Sequence, residues 1–304
     1  MTMHRDETYH TTVLLHEGVD ALNLKPGGVY VDVTLGAAGH TKYLLSQLDA
    51  DAKVFGFDQD KDAIKHAPKD PRFTLCQSNF QFLLRFMKAY KVEQVDGILA
   101  DLGVSGHHFD APERGFSFRF DAPLDMRMNQ SQEVSAKDVL NTYEEQELKM
   151  LFKRYGESSL AGKLARSIVQ ARAVKAIERT GELVKLAEQC IPERKVKGEL
   201  AKIFQAIRIE VNQELDVLRQ LLEDAAKILK PGGRLVVLSY HSLEDRMVKH
   251  FLRSGNFDDR AEKDIYGNVN RPLDPIGKVI TPSKEEIERN PRARSAKMRI
   301  GEKR

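Results

Sequence analysis

Short β-rich runs alternate with helical segments through the first hundred or so residues, then disappear, and return only at Arg234. Residues 29–33, 53–58, 72–76 and 95–101 read as strands, and residues 41–48, 60–67 and 80–90 as the helices between them. Alternation of this kind is the signature of βαβ units in a parallel sheet. Several of these strands end in a carboxylate or run straight into a polar turn. In an open α/β sheet that carboxyl edge is where ligands bind.

From residue 102 to 124 the pattern dissolves into Gly, Pro, His and Phe without periodicity, too long for an ordinary βα connection. Residues 135–200 then carry helical patterns only: 136–141 behind a Ser135 cap, 144–154, 159–176, and 181–190 ended by Pro192. Residues 199–229 read as one long amphipathic helix. After it, Lys230-Pro-Gly-Gly233 predicts a turn into the apolar strand Arg234–Tyr240, of the sort found in a parallel core. Residues 258–289 are expected to be irregular, and residues 296–300 to form a last strand. The prediction is one α/β sheet interrupted by an all-helical insertion: residues 1–110, a helical domain at 111–205, and residues 206–304.

No apolar run approaches the ~20 residues that cross a bilayer, and residues 1–10 are polar, so the expectation is a cytoplasmic protein. Cys76 and Cys190 are too few for a zinc site or a disulfide framework. The net charge of +3 names no partner, but its distribution is uneven. Residues 289–304 carry seven cations against one carboxylate, and residues 153–210 thirteen against seven. Such stripes can neutralise phosphates, although charge clusters taken alone are more often solvated faces.

The turn Leu35-Gly36-Ala37-Ala38-Gly39-His40 after the first strand lets backbone approach a ligand at a helix start. It lacks the Gly-x-Gly-x-x-Gly spacing of dinucleotide folds, and a tight turn needs glycine for steric reasons alone. Asp58, about 20 residues on at the end of the second strand, suits the two hydroxyls of a ribose. Phe80 could stack on adenine or simply fill the core. Asp101 closes an apolar strand at the middle of the sheet edge, where burying a carboxylate costs energy unless it is partnered or used. His10, His107, His108 and His241 show no metal-ligand spacing, so no metal is expected. Ser242 and Asp245 read as a helix N-terminal box rather than as a nucleophile with its partner.

Eight strings taken together carry a resemblance: Tyr9-His-Thr-Thr-Val-Leu-Leu15, Asp32-Val-Thr-Leu-Gly-Ala-Ala-Gly-His40, Asp101-Leu-Gly-Val-Ser105, Arg114-Gly-Phe-Ser-Phe118, Pro123-Leu-Asp-Met-Arg-Met128, Ile203-Phe-Gln-Ala-Ile-Arg-Ile-Glu-Val-Asn212, His241-Ser-Leu-Glu-Asp-Arg246 and Asn290-Pro-Arg-Ala-Arg-Ser295. In this order, over nearly the whole chain, they resemble the RsmH (MraW) family of small-subunit ribosomal RNA methyltransferases. The resemblance implies a class I, Rossmann-like methyltransferase sheet with a helical insertion. It implies S-adenosyl-L-methionine as cofactor and, as reaction, methylation of the exocyclic N4 of one cytidine in the decoding region of 16S rRNA. The implied partner is that RNA, within the small ribosomal subunit and away from membranes; a homodimer is left open.

The family's cofactor contacts fall on Ala38, Gly39, His40, Asp58, Phe80, Asp101 and His108. Two depart from the usual pattern. Ala38 replaces a common glycine, permissible if its φ is negative, and His108 replaces a glutamine. Asp101 is the candidate acceptor for the proton of the target amine, or else a holder of the methionyl amine. The Asp-Leu-Gly-Val string is not the Pro-Pro-aromatic motif of many amino-methyltransferases, so the aromatic that stacks the target base is not named by it. A non-catalytic RNA-binding assembly factor would share the basic stripes but not need Asp58 and Asp101. A nicotinamide oxidoreductase would need a different turn spacing, and a small-molecule or protein methyltransferase leaves the basic insertion unexplained.

Overall fold

The computed structural model describes residues 12–103 and 111–304. The chain packs as two compact units, one of Met1–Gly103 with Leu215–Arg304, the other of Val104–Glu214.

The first unit holds a seven-stranded sheet of β1 (Val29–Asp32), β2 (Lys53–Asp58), β3 (Phe73–Gln77), β4 (Val95–Asp101), β5 (Leu229–Ser239), β6 (Leu273–Ile280) and β7 (Lys297–Lys303), in the order β3-β2-β1-β4-β5-β7-β6. The first five strands pair in parallel, and β7 lies antiparallel between β5 and β6. This is a Rossmann-like sheet, and its strand order reverses direction at β1 and β4, where such sheets bind ligands.

Side chains alternate across the strands and build a core on each face. On one face Val31, Phe55, Phe57, Ile98, Ala100, Leu235 and Val237 pack with helices α4 (Leu83–Ala89), α10 (Glu214–Ile228) and α11 (Ser242–Ser254), through residues such as Leu83, Leu218, Leu222 and Val248. On the other, Tyr30, Val54, Leu99, Val236 and Leu238 pack with α1 (Leu15–Asp20) and α2 (Gly39–Gln47), through Val19 and Leu44. A short α3 (Lys61–Ile64) follows β2.

In the second unit α5 (Ala136–Thr142), α6 (Glu145–Arg154), α7 (Ala161–Arg172), α8 (Thr180–Glu188) and α9 (Val196–Asn212) bury Leu140, Leu148, Phe152, Leu164, Ile168, Leu183 and Ile207. Ser135 caps α5 as its sequence predicts, in a reciprocal box with Asp138. Two of the family strings meet here. The Asn212 amide donates to the Met126 carbonyl at 2.8 Å, and its oxygen accepts from the Met128 N–H at 2.8 Å. These residues tie the loop at 123–128 to α9, which is a structural task.

Three sequence expectations need correction. The helix read through 199–229 is two, because Gln213 takes a left-handed conformation (φ 51°) between α9 and α10. Residues 258–289 are not irregular throughout: they contain β6 and α12 (Lys284–Arg289). Pro275 and Gly277 hide β6 from propensity, yet β6 is an edge strand, where proline is tolerated, and Gly277 (φ 66°) sits at a shift of register. The turn at 230–233 is an irregularity within β5, with the pairing to β4 shifting between Val95 and Gly97 and Gly232 at φ 74°. Among the described residues, no helix is long and apolar enough to cross a membrane.

Candidate functional site at the carboxyl edge of the sheet

The chain leaves β1 at Asp32 and stays in the sheet a little longer, with Val33 N–H bonded to the Leu99 carbonyl and Leu35 N–H to the Phe57 carbonyl, both at 2.9 Å. It then turns through two left-handed residues, Gly36 (φ 51°) and Ala38 (φ 62°). The condition under which Ala38 could replace glycine, a negative φ, is therefore not met, and the left-handed backbone costs about 1–2 kcal/mol. Gly39 is required for another reason: a Cβ there would stand 1.8 Å from Thr12 Oγ1. Helix α2 starts at this glycine with no side-chain cap, so the amides of its first turn point out of the helix at the positive end of its dipole.

Asp58, at the end of β2, is tied to the turn. Its Oδ2 accepts from Gly36 N–H and its Oδ1 from Asp60 N–H, each at 2.9 Å. The next loop is tied in turn, since Asn79 donates to Gln59 Oε1 at 3.0 Å and accepts from Gln81 N–H at 2.8 Å. Phe80 follows Asn79, half-buried at the rim of the core. The structure thus brings the turn, Asp58 and Phe80 to one edge. His10, His107 and His108 lie outside the described residues.

The strand ends β1 and β4 share a buried polar network that sequence reasoning reached only through Asp101 and His40. Asp32 is 1% exposed and accepts from Thr41 Oγ1 at 2.6 Å and from Thr34 N–H at 3.0 Å. Burial raises its pKa; the His40 ring, Thr41 and Thr34 act the other way, and the Asp101 charge adds to the rise. Thr34 Oγ1 accepts the Asp101 N–H at 2.6 Å, and Asp101 Oδ2 lies 3.8 Å from His40 Nδ1. Asp101 Oδ1 and His40 Nε2 are buried with no hydrogen-bond partner among the described residues. An unmet buried acceptor is costly unless something else meets it, which marks this carboxylate as one kept for a ligand or a reaction. The signal for Asp32 and Thr34 was their place in the Asp32–His40 string, where a strand-end carboxylate precedes the turn by a few residues.

His241 is the N-cap of α11, in a reciprocal box with Glu244. The box expected from Ser242 and Asp245 is displaced by one residue, and Asp245 instead binds Lys297 (3.0 Å) and Arg299 (2.7 Å). Much of the basic terminal stretch is thereby neutralised within the fold, Arg304 also pairing with Asp274 at 2.9 Å. In the second unit Lys175, Arg179, Lys202 and Arg208 are ion-paired, whereas Lys149, Lys153, Lys185 and Lys197 are exposed with no ion pair recorded among the described residues.

A model of the MraW methylase family matches residues 7–304. The chain is 54% identical over 299 residues to the ribosomal RNA small subunit methyltransferase H of Phocaeicola vulgatus, covering 98% of each chain. It is 55% identical over 295 residues to the protein of the same name in Flavobacterium johnsoniae, covering 97% of this chain and 98% of that one. Among solved structures, an rRNA methylase from Streptococcus thermophilus aligns over 97% of this chain and 98% of that one at 12% identity and a TM-score of 0.43, a likeness too slight to add to the argument.

Proposed function

The chain belongs to the MraW methylase family, and from that premise we propose that it uses S-adenosyl-L-methionine to methylate the exocyclic N4 amine of one cytidine in the decoding region of 16S rRNA. The observation that carries the reading to a particular site is Asp101, a strand-end carboxylate with a buried, unpartnered oxygen at the switch point of the sheet. The choice of cytidine N4 rests on the resemblance of the sequence strings.

The residues present fit such a cofactor. The uncapped start of α2 at Ala38, Gly39 and His40 suits a carboxylate, Asp58 suits ribose hydroxyls, Phe80 offers an apolar face, and Asp101 offers an acceptor. His108 belongs to the same set by resemblance. When bound, the cofactor supplies a methyl group made electrophilic by its sulfonium. Transfer of that methyl to the target nitrogen would break the carbon–sulfur bond and leave the amine with one proton to lose. Asp101 accepts that proton and passes it to water, and by accepting a hydrogen bond from the amine it also localises the nitrogen lone pair. Thr34 holds the Asp101 backbone by accepting its N–H, and the His40 ring lies 3.8 Å from Asp101 Oδ2. A base within folded RNA must leave its stack to be reached, and the exposed cations Lys149, Lys153, Lys185 and Lys197 are suited to the flanking phosphates.

The test is transfer of radiolabel from S-adenosyl-L-methionine to small ribosomal subunits lacking the modification, with Asp101→Asn alongside. Label is expected on N4 of a single cytidine, falling roughly 100-fold or more in the variant. Absence of label on both subunits and free 16S rRNA, with the cofactor bound, would refute the reading.

A further inference from the structure

The strand ends that carry Asp101 also bring a tyrosine to it, and the motif glycine two residues on is explained by that tyrosine. Parallel pairing aligns Asp101 with Leu238, and Leu102 N–H continues the ladder to the Leu238 carbonyl at 3.0 Å. Tyr240 therefore leaves β5 beside Asp101. Its backbone N–H is fixed by Glu244 Oε2 at 2.9 Å, through the cap of α11. Its ring lies against the chain at Gly103, where a Cβ would come within 2.7 Å of Cε2, 3.0 Å of Cζ and 3.2 Å of Cδ2. Gly103 has no need of a left-handed backbone; it is small because the Tyr240 ring occupies the place of a side chain.

The hydroxyl faces a negative environment. Burial raises its pKa well above the ordinary phenol value, followed by the charge of Asp101, a hydrogen bond to Asp101, and the charges of Glu244 and Glu286. The phenol thus stays protonated at neutral pH and has a proton to donate, and among the charges that act on it that of Asp101 comes first.

We propose that Tyr240 is a positioning residue for the reaction, holding the Asp101 carboxylate through its hydroxyl so that the other carboxylate oxygen stays turned to the target amine. This rests on the reading of Asp101 given under Proposed function. Thr34 fixes the Asp101 backbone and His40 approaches Oδ2, but neither supplies a hydrogen bond to the carboxylate itself, which is the contact a phenol can add.

Tyr240→Phe removes one oxygen and keeps the ring against Gly103. Turnover on small subunits is expected to fall roughly 10- to 100-fold, within the range contributed by a placed acid or base. KM for the RNA, and the affinity for S-adenosylhomocysteine measured by calorimetry, are expected to stay within about twofold, since the residue binds neither. Gly103→Ala, which displaces the ring, is expected to reproduce the loss. The contact is read separately from catalysis by NMR of the protein labelled at tyrosine 13Cζ: the Tyr240 signal, assigned by its absence in Tyr240→Phe, is expected to shift in Asp101→Asn. Wild-type turnover in Tyr240→Phe, or a loss of product affinity as large as the loss of turnover, would overturn the positioning role. An unmoved Tyr240 signal would overturn the contact itself, whereas a wild-type protein silent on small-subunit RNA would overturn the function and with it the catalytic use of that contact.

Discussion

Replacing Gly39 by alanine tests whether the turn that opens the site is held by steric exclusion. The added Cβ would overlap Thr12 Oγ1 and come within 3.0 Å of Thr12 Cβ and 3.3 Å of Thr12 Cγ2, so the Thr12 side chain must turn away and the turn or the Thr12 segment must still give by a few tenths of an ångström. Overpacking of this sort costs about 1–3 kcal/mol. Against it stands the helix preference of alanine over glycine, at most about 1 kcal/mol, and less at the first position of α2. The expected net loss is about 1–2 kcal/mol, read as a lower urea midpoint by far-UV circular dichroism. Because the cost comes from one neighbour, Thr12→Gly should recover it: the double variant is expected to be more stable than the sum of the single changes by about 1 kcal/mol or more. Gly36→Ala is the control, since its Cβ would meet nothing nearer than the Thr34 carbonyl at 3.9 Å. There only backbone strain remains, about 1–2 kcal/mol, partly offset by roughly 0.4–1 kcal/mol of unfolded-state entropy. A coupling energy below about 0.5 kcal/mol between positions 12 and 39 would refute the steric account.

Asn212→Ala leaves the Met128 N–H and the Met126 carbonyl without their partner in a buried place, at about 1–3 kcal/mol for each group, and faster amide exchange at Met128 should accompany the loss. Asp274 has its pKa lowered to about 2, by its hydrogen bonds with Arg304 first and then Arg271. Its contribution to stability is present above the unfolded carboxylate value near 3.9 and is lost as pH falls through about 2. Asp274→Asn should thus be less stable than wild type at pH 7 and converge on it in strong acid, the difference staying below about 1 kcal/mol because the pair is half in solvent; a gap that persists below pH 2 in thermal melts would contradict this. Burial pushes the Cys76 thiol up to about 12, so iodoacetamide should label it only on unfolding, and labelling of the native protein at the denatured rate, seen by peptide mass spectrometry, would show the core to be open.

The parts of this fold that could be read beforehand are those where local pattern and tertiary demand agree. The runs at 53–58 and 95–101 are strands because their inner residues, Val54–Phe57 and Gly97–Ala100, carry no polar side chain and both faces of the sheet are covered. Ser135 could be read as a cap because its partner Asp138 is three residues away. What escaped reading depends on distant partners. β6 exists because β7 offers it an edge, not because Pro275 and Gly277 favour a strand. The break at Gln213 is a backbone conformation carried by a residue with no special preference for it. At the site, Asp58 and Asp101 were visible as strand-end carboxylates, and the sign of φ at Ala38 was not. Tyr240 could not be tied to Asp101 at all without knowing that β5 lies next to β4.

That same adjacency has a consequence for synthesis. Strand β4 ends at Asp101, and its outer neighbour β5 begins at Leu229. At about 5–20 residues per second, the ribosome takes roughly 6–25 s to deliver the second after the first. For that interval the buried strand β4 presents an unpaired edge, the kind of surface on which chains stick to one another. The delay does not end there, since β7 is made after β6 yet must slip between β6 and β5. The nascent chain therefore has a long window in which it needs shelter, and a slow step at its close. Refolding yield should accordingly depend steeply on protein concentration and on holdase chaperones, even where the finished protein is stable.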